Sequence, residues 1–120
     1  MPTYTIKNRY TGHVIYTASA DTRKAMLLAI PQGTNLTEAE LSGEDLAGVQ
    51  WNGVNLTRAN FQRADMTGAK FPGATLTSSD MTNANLTRAS LRTATTTGLV
   101  STGAKSHGSG GCLFYSSDAA

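Results

Sequence analysis

Ala59-Asn60-Phe61-Gln62-Arg63-Ala64-Asp65-Met66-Thr67-Gly68 holds the pattern that decides the fold. Phe61 and Met66 stand five residues apart. Each follows an Asn or Asp, and each has an alanine two positions back. Outward from this stretch, large apolar residues recur at every fifth position without a slip: Leu36, Leu41, Leu46, Trp51, Leu56, Phe61, Met66, Phe71, Leu76, Met81, Leu86 and Leu91. The residue two before each is Ala, Val, Ser or Thr, with Glu44 the one clear misfit. The position between is polar throughout, from Asn35 to Ser90.

A period of five fits neither regular element. In an α-helix five residues advance about 500°, so successive large residues would walk around the axis by about 140° and form no buried stripe. In a flat strand an odd period flips them between faces. Every large residue stays inside if each unit is a very short strand and the chain bends by about a right angle before the next. Within a unit the small and large residues, two apart, then both point inward. Four bends close a square turn of twenty residues, and turns stack at the inter-strand spacing of ~4.8 Å. Thr34 to Thr93 gives three turns, a prism roughly 15 Å tall. Its interior stacks are Leu36-Leu56-Leu76, Leu41-Phe61-Met81, Leu46-Met66-Leu86 and Trp51-Phe71-Leu91, with direct stacking of Trp51 on Phe71.

Ala59-Asn60-Phe61-Gln62-Arg63, Ala64-Asp65-Met66-Thr67-Gly68 and Ala84-Asn85-Leu86-Thr87-Arg88 resemble the pentapeptide-repeat family, whose loose motif is a small residue, Asp or Asn, Leu or Phe, then two variable residues. The resemblance covers about half the chain. It implies a mainly β fold, the right-handed quadrilateral β-helix of that family, over residues 34–97.

The ends differ from the repeat. Residues 1–33 read as a cap. Thr3-Tyr4-Thr5-Ile6-Lys7 and His13-Val14-Ile15-Tyr16-Thr17 alternate around the turn-compatible Asn8-Arg9-Tyr10-Thr11-Gly12, which predicts a β-hairpin. A helix over Thr22 to Ile30 follows, capped by Asp21 or Ser19 and ended by Pro31 and Gly33. Its apolar side, Met26, Leu27, Ala29 and Ile30, is expected over the first turn. Some pentapeptide-repeat proteins carry a similar preamble to Asn8-Arg9-Tyr10-Thr11-Gly12. Residues 98–120 read as a Gly/Ser/Thr-rich tail ending in the apolar tetrad Cys112-Leu113-Phe114-Tyr115, a candidate interaction segment that either folds back over the last turn or docks on a neighbour.

Composition bounds the chemistry. The 120 residues suit one domain, with 39% hydrophobic and 15% charged residues, 18 threonines and 12 glycines. Single Cys112 excludes an intramolecular disulfide and a cysteine-based zinc cluster. The N-terminus lacks a signal-peptide layout and no apolar run approaches membrane-spanning length, so a cytoplasmic protein without membrane contact is expected. His13 lies beside the hairpin turn. His107 precedes Gly108-Ser109-Gly110-Gly111, a run without a Walker lysine or a strand-to-helix context. Glu38, Glu40, Asp45, Asp65 and Asp80 fall on the coil exterior, whereas the register points Glu44 inward. A filled prism offers no concave pocket. No catalytic, cofactor-binding or metal site, and no cofactor, is expected.

Residues 1–33 carry net +3, residues 34–95 net −1 and the remainder zero, for an overall +2. Some members of the family resemble duplex DNA and so inhibit or protect DNA gyrase. Such mimicry needs dense negative charge, about one per ~1.7 Å of rod, which a short, nearly neutral coil does not supply. Nucleic acid binding is disfavoured for the same sparseness of charge. The leading expectation is therefore a non-catalytic interaction or structural accessory module with an unidentified protein partner. The preamble suggests phage or prophage origin, with the virion as the alternative location. Homo-oligomerisation through the C-terminal coil edge or tail is expected by analogy with the family.

Overall fold

The computed structural model describes residues 1–106. Strand β1 (Thr3–Lys7) pairs antiparallel with β2 (Val14–Ser19), and helix α1 (Arg23–Leu28) follows. The register runs Thr3↔Ser19 to Ile6↔Tyr16, then shifts by a bulge so that Lys7 faces Val14. Side chains at the hairpin turn explain its tightness. The Asn8 Oδ1 accepts from the backbone N–H of Tyr10 (2.8 Å) and Thr11 (3.1 Å), and Gly12 supplies φ +76°.

The helix is shorter than its apolar pattern suggests. Thr22, rather than Asp21 or Ser19, is the N-cap: its backbone is extended and its hydroxyl accepts from the Ala25 N–H at 3.0 Å. The helix stops at Leu28 because Pro31 disfavours helical geometry at Ile30, and the Ala29 N–H closes the last turn onto Ala25 and Met26. Met26, Leu27 and Ile30 are buried; Ala29 is exposed.

From Thr34 onward the chain winds as a square coil. Parallel bridges join each unit to the one twenty residues later: Asn35↔Asn55, Glu40↔Asn60, Asp45↔Asp65 and Gln50↔Lys70, continuing down to Asn85↔Lys105. Each side is so short that a single bridge replaces an ordinary strand. Every fifth residue from Gly33 to Gly103 has φ between 55° and 77°. These left-handed residues are the corners. They are the third residues of tight turns such as the one closed by the Ala39 N–H onto Leu36 O (3.0 Å), and they reset the alternation that would otherwise turn the next large residue outward.

The backbone hydrogen bonds account for the polar position of the repeat. In one unit, the Leu36 N–H donates to Asn55 O, the Glu38 N–H to Thr57 O and the Asn55 N–H to Thr34 O, at 2.7 to 2.9 Å. The residue after the large one still has a free N–H. The side chain two residues earlier accepts it: Asn35 for Thr37, Glu40 for Ser42, Asp45 for Ala47, Asn60 for Gln62 and Asp80 for Thr82. Lys70 cannot accept, and there the following position is Pro72, which has no N–H.

The core is the interior column. Leu36, Leu41, Leu46, Trp51, Leu56, Phe61, Met66, Phe71, Leu76, Met81, Leu86 and Leu91 are all buried, at 1% exposure or less. Each such side chain contributes about 1.5–3 kcal/mol by leaving water. Trp51 and Phe71 do not lie face to face. Their centroids are 6.1 Å apart with planes at 85°, and Phe61 meets Phe71 at 6.3 Å and 71°, edge-on contacts that suit the quadrupoles of the rings.

The coil also runs past residue 97, where the sequence places the start of a tail. Thr75↔Thr95, Asp80↔Val100 and Asn85↔Lys105 add most of a fourth turn. Thr96, Ser101 and Ser106 occupy the large positions, so the apolar period disappears. Ala94, Leu99 and Ala104 keep the inward position two residues before, packed against the core, and Gly98 and Gly103 supply corners at φ 72°.

Candidate interaction surfaces

The N-terminal end of the coil is closed by side chains from the cap. Trp51 lies under α1 and its indole N–H donates at 2.9 Å to Leu27 O, a carbonyl of the last helical turn whose backbone partner, the Ile30 N–H, is 3.5 Å away. Arg23 forks onto Glu44, with its Nε 2.9 and 3.0 Å from the two carboxylate oxygens and a further contact at 2.7 Å, and also donates to Thr5 O. Glu44 breaks the small-residue rule because it stands in the first turn, where the inward position faces the cap instead of another rung. Lys24 reaches Asp45 and Ala47 O, both at 2.7 Å.

The hairpin is fastened to a coil corner through the same residues that resemble a family preamble. Asn8 bridges antiparallel to Ala39, and its Nδ2 donates to Glu38 Oε1 at 3.0 Å. The Arg9 N–H donates to Glu38 O at 2.7 Å and its guanidinium to Arg58 O at 3.1 Å. The Arg58 side chain returns to Glu38 at 3.0 Å. The Asn8 amide, then the Arg58 guanidinium, hold the Glu38 carboxyl below its ordinary value of 4.5. The Lys24 ammonium and the Ala47 N–H do the same for Asp45. Burial pushes Glu40 and Asp80 up, but hydrogen bonds outweigh it, from Ser42 and Asn60 at Glu40 and from Thr82 and Gln62 at Asp80.

The far end has no such cover among the described residues. An open cleft of about 600 Å³ is lined by Thr95, Thr96, Thr97, Gly98 and Leu99. A second, of about 320 Å³, lies between cap and coil, lined by Thr5, Lys7, Arg23, Glu40 and Glu44. Neither holds a nucleophile beside a base. No group of three or more His, Cys, Asp or Glu among the described residues could hold a metal ion. No helix among them is long and apolar enough to cross a membrane. His13 is exposed on the hairpin. His107 and the candidate interaction segment Cys112, Leu113, Phe114 and Tyr115 lie outside the described residues.

The described chain therefore presents four flat sides, a closed end and an open end. Pentapeptide repeats match residues 34–71 and 59–95, in eight copies, together more than half of the sequence. The chain belongs to the pentapeptide-repeat family. Members of this family are generally non-catalytic. A search of curated proteins finds no match. Among solved structures, a pentapeptide repeat protein from the thylakoid lumen of Arabidopsis thaliana is 33% identical with a TM-score of 0.62, over 63% of this chain and 52% of that one. HetL, a pentapeptide repeat protein of the cyanobacterium Nostoc sp. strain PCC 7120 involved in heterocyst differentiation regulation, is 33% identical, with a TM-score of 0.44 over 62% of this chain and 37% of that one. Rfr23 of Cyanothece 51142 is 24% identical, with a TM-score of 0.46 over 65% and 60%. The chain thus spans about half the length of the Arabidopsis pentapeptide-repeat protein.

Two groups of surface residues escape a reading based on apolar period alone. One is the Asn8–Arg9 clamp, whose signal is a polar turn motif that only docking explains. The other is the set Lys70, Arg92 and the corner residue Arg88 that borders their side, brought near one another by the twenty-residue turn.

Proposed function

We propose that this pentapeptide-repeat protein is a non-catalytic interaction or structural accessory module that presents its flat sides to a protein partner. The observation that carries the reading is the filled interior: from Leu36 to Leu91 the axis is occupied by buried apolar side chains, so the interior has no room for a small substrate and what the coil offers is its ordered outer surface. Rigid faces reduce the entropy lost on docking. Self-association through the end near Thr95–Leu99, which has no cover among the described residues, a cytoplasmic or virion location and phage or prophage origin are parts of the same proposal. The gyrase-directed alternative draws no support from the charge, because residues 34–95 carry only net −1 and three of their six carboxylates, Glu38, Glu44 and Asp45, are paired with a cation.

Affinity capture from the native host, followed by mass spectrometry and reconstitution with the purified candidate, tests the proposal. A saturable complex with a protein is expected. A turnover reaction carried by the purified chain, or potent inhibition of gyrase supercoiling, would overturn it.

A further inference from the structure

We propose that one side of the coil is a docking face for an acidic, extended protein segment; this rests on the interaction-module reading and names its partner chemistry. The side comprises residues 49–53, 69–73 and 89–93, stacked by the bridges Gln50↔Lys70 and Lys70↔Ser90. It is the one side among the described residues without a carboxylate. The other three carry Glu38, then Glu40 and Asp80, then Glu44, Asp45 and Asp65.

Its cations Lys70 and Arg92, and Arg88 at the corner it shares with the neighbouring side, are unopposed. Arg23, Lys24 and Arg58 each meet a carboxylate within 3.0 Å, whereas the exposed side chains of Lys70, Arg88 and Arg92 meet none among the described residues. The register places Lys70 directly over Ser90, about 4.8 Å away along the axis, with Arg88 two residues to one side and Arg92 two to the other. Three cationic residues therefore flank Ser90 in the register, on a backbone fixed by Lys70 N–H to Val49 O and Ser90 N–H to Ala69 O, both 2.8 Å.

The borders of this side are bare. Its corners are Gly48 and Gly68 on one edge, followed by Arg88, and Gly33, Gly53 and Gly73 on the other, followed by Thr93. Corner geometry alone does not demand glycine, because Arg58, Arg63, Ser78 and Asn83 adopt φ of 57–60° at equivalent positions. Space is open around Gly48, Gly68 and Gly73. A partner backbone can lie flat across the upper rungs while its carboxylates reach the cations below. Three cations match a short acidic segment. Duplex DNA engaged by so few contacts would bind weakly and lose affinity steeply with salt.

Fluorescence anisotropy of the full chain with a labelled ten-residue polyglutamate tests the face, with a 20-bp DNA duplex in parallel. Lys70→Gln, Arg88→Gly and Arg92→Gln are combined; glycine at 88 copies Gly48 and Gly68 of the same column, and circular dichroism checks the fold. Arg63→Gly, on another corner, is the control. Binding of the peptide that falls about tenfold in the triple variant, falls with added salt and survives in the control supports the proposal. Equal binding by the triple variant overturns it, as does duplex DNA bound tenfold more tightly than the peptide. Captured host proteins retained by the triple variant would leave the interaction-module reading standing while removing this face from it.

Discussion

The indole nitrogen of Trp51 and the carbonyl oxygen of Leu27, 24 residues apart in sequence, are joined at 2.9 Å inside the protein. One bond thereby ties the end of the capping helix to the first turn of the coil. It also explains how a tryptophan can be fully buried in a narrow interior: its polar atom has a partner and its ring packs edge-on with Phe71.

Trp51→Phe keeps an aromatic ring but removes the short bond to the Leu27 carbonyl, leaving it the long contact from the Ile30 N–H at 3.5 Å. Loss of about 2 kcal/mol is expected in urea unfolding, with the coil's circular dichroism retained. Unchanged stability would mean that this bond adds nothing to the hold that Asn8, Arg9, Arg23 and Lys24 already give the cap.

Phe71 touches both Trp51 and Phe61 at the centre of the column. Phe71→Ala should cost about 3–5 kcal/mol by opening a cavity that the rungs above and below cannot close. Thermal unfolding would read this as a fall of many degrees. A loss under 1 kcal/mol would indicate a solvated or yielding interior.

Corner conformation gives a pair of opposite effects. Gly68→Ala meets open space but must adopt φ 67°, so destabilisation of about 1 kcal/mol is expected. Arg63 already stands at φ 60°, so Arg63→Gly should stabilise by up to about 1 kcal/mol, less the added entropy of the unfolded chain. Denaturant titrations of both variants, side by side, check the signs.

Acid should weaken the protein through Glu38, Glu40, Asp45 and Asp80. Their carboxyls are held below the ordinary 4.5 for Glu and 3.8 for Asp. A group whose folded pKa is depressed contributes stability above its unfolded pKa and loses it as pH falls through the folded one. Melting temperature should therefore be level from pH 7 to about 5 and decline below about 4.5. A melting temperature that rises between pH 4.5 and 3 would contradict these assignments.

The square coil was legible because its signal repeats: Leu36 to Leu91 is a period that helix and strand both fail to explain. Its end was not, because Thr96, Ser101 and Ser106 remove the large apolar marker while Leu99, Gly98 and Gly103 preserve the inward packing and the corners. Gly98 and Gly103 keep the five-residue spacing of the corner glycines Gly33, Gly43, Gly48, Gly53, Gly68 and Gly73, and following that spacing extends the register to Gly103. The misfit Glu44 could be noticed from sequence, but its partner Arg23 could not, because the pairing depends on how the cap lies over the first turn. The cations Lys70, Arg88 and Arg92 are visible as residues and become a group only after the turn length is known. Pro72 gains its meaning in the same way, from a free N–H that only the hydrogen-bond pattern reveals.

Residue-resolved amide hydrogen exchange tests the coil most directly. The N–H groups of Leu36, Leu41, Leu46, Trp51, Leu56, Phe61, Met66, Phe71, Leu76, Met81 and Leu86 each donate to the rung below, and those of Val100 and Lys105 to the rung above. Protection recurring at every fifth residue from Leu36 to Leu86, with Val100 and Lys105 also slowed, is the result expected. Exchange at free-chain rates through those positions would contradict a square coil with a sealed interior.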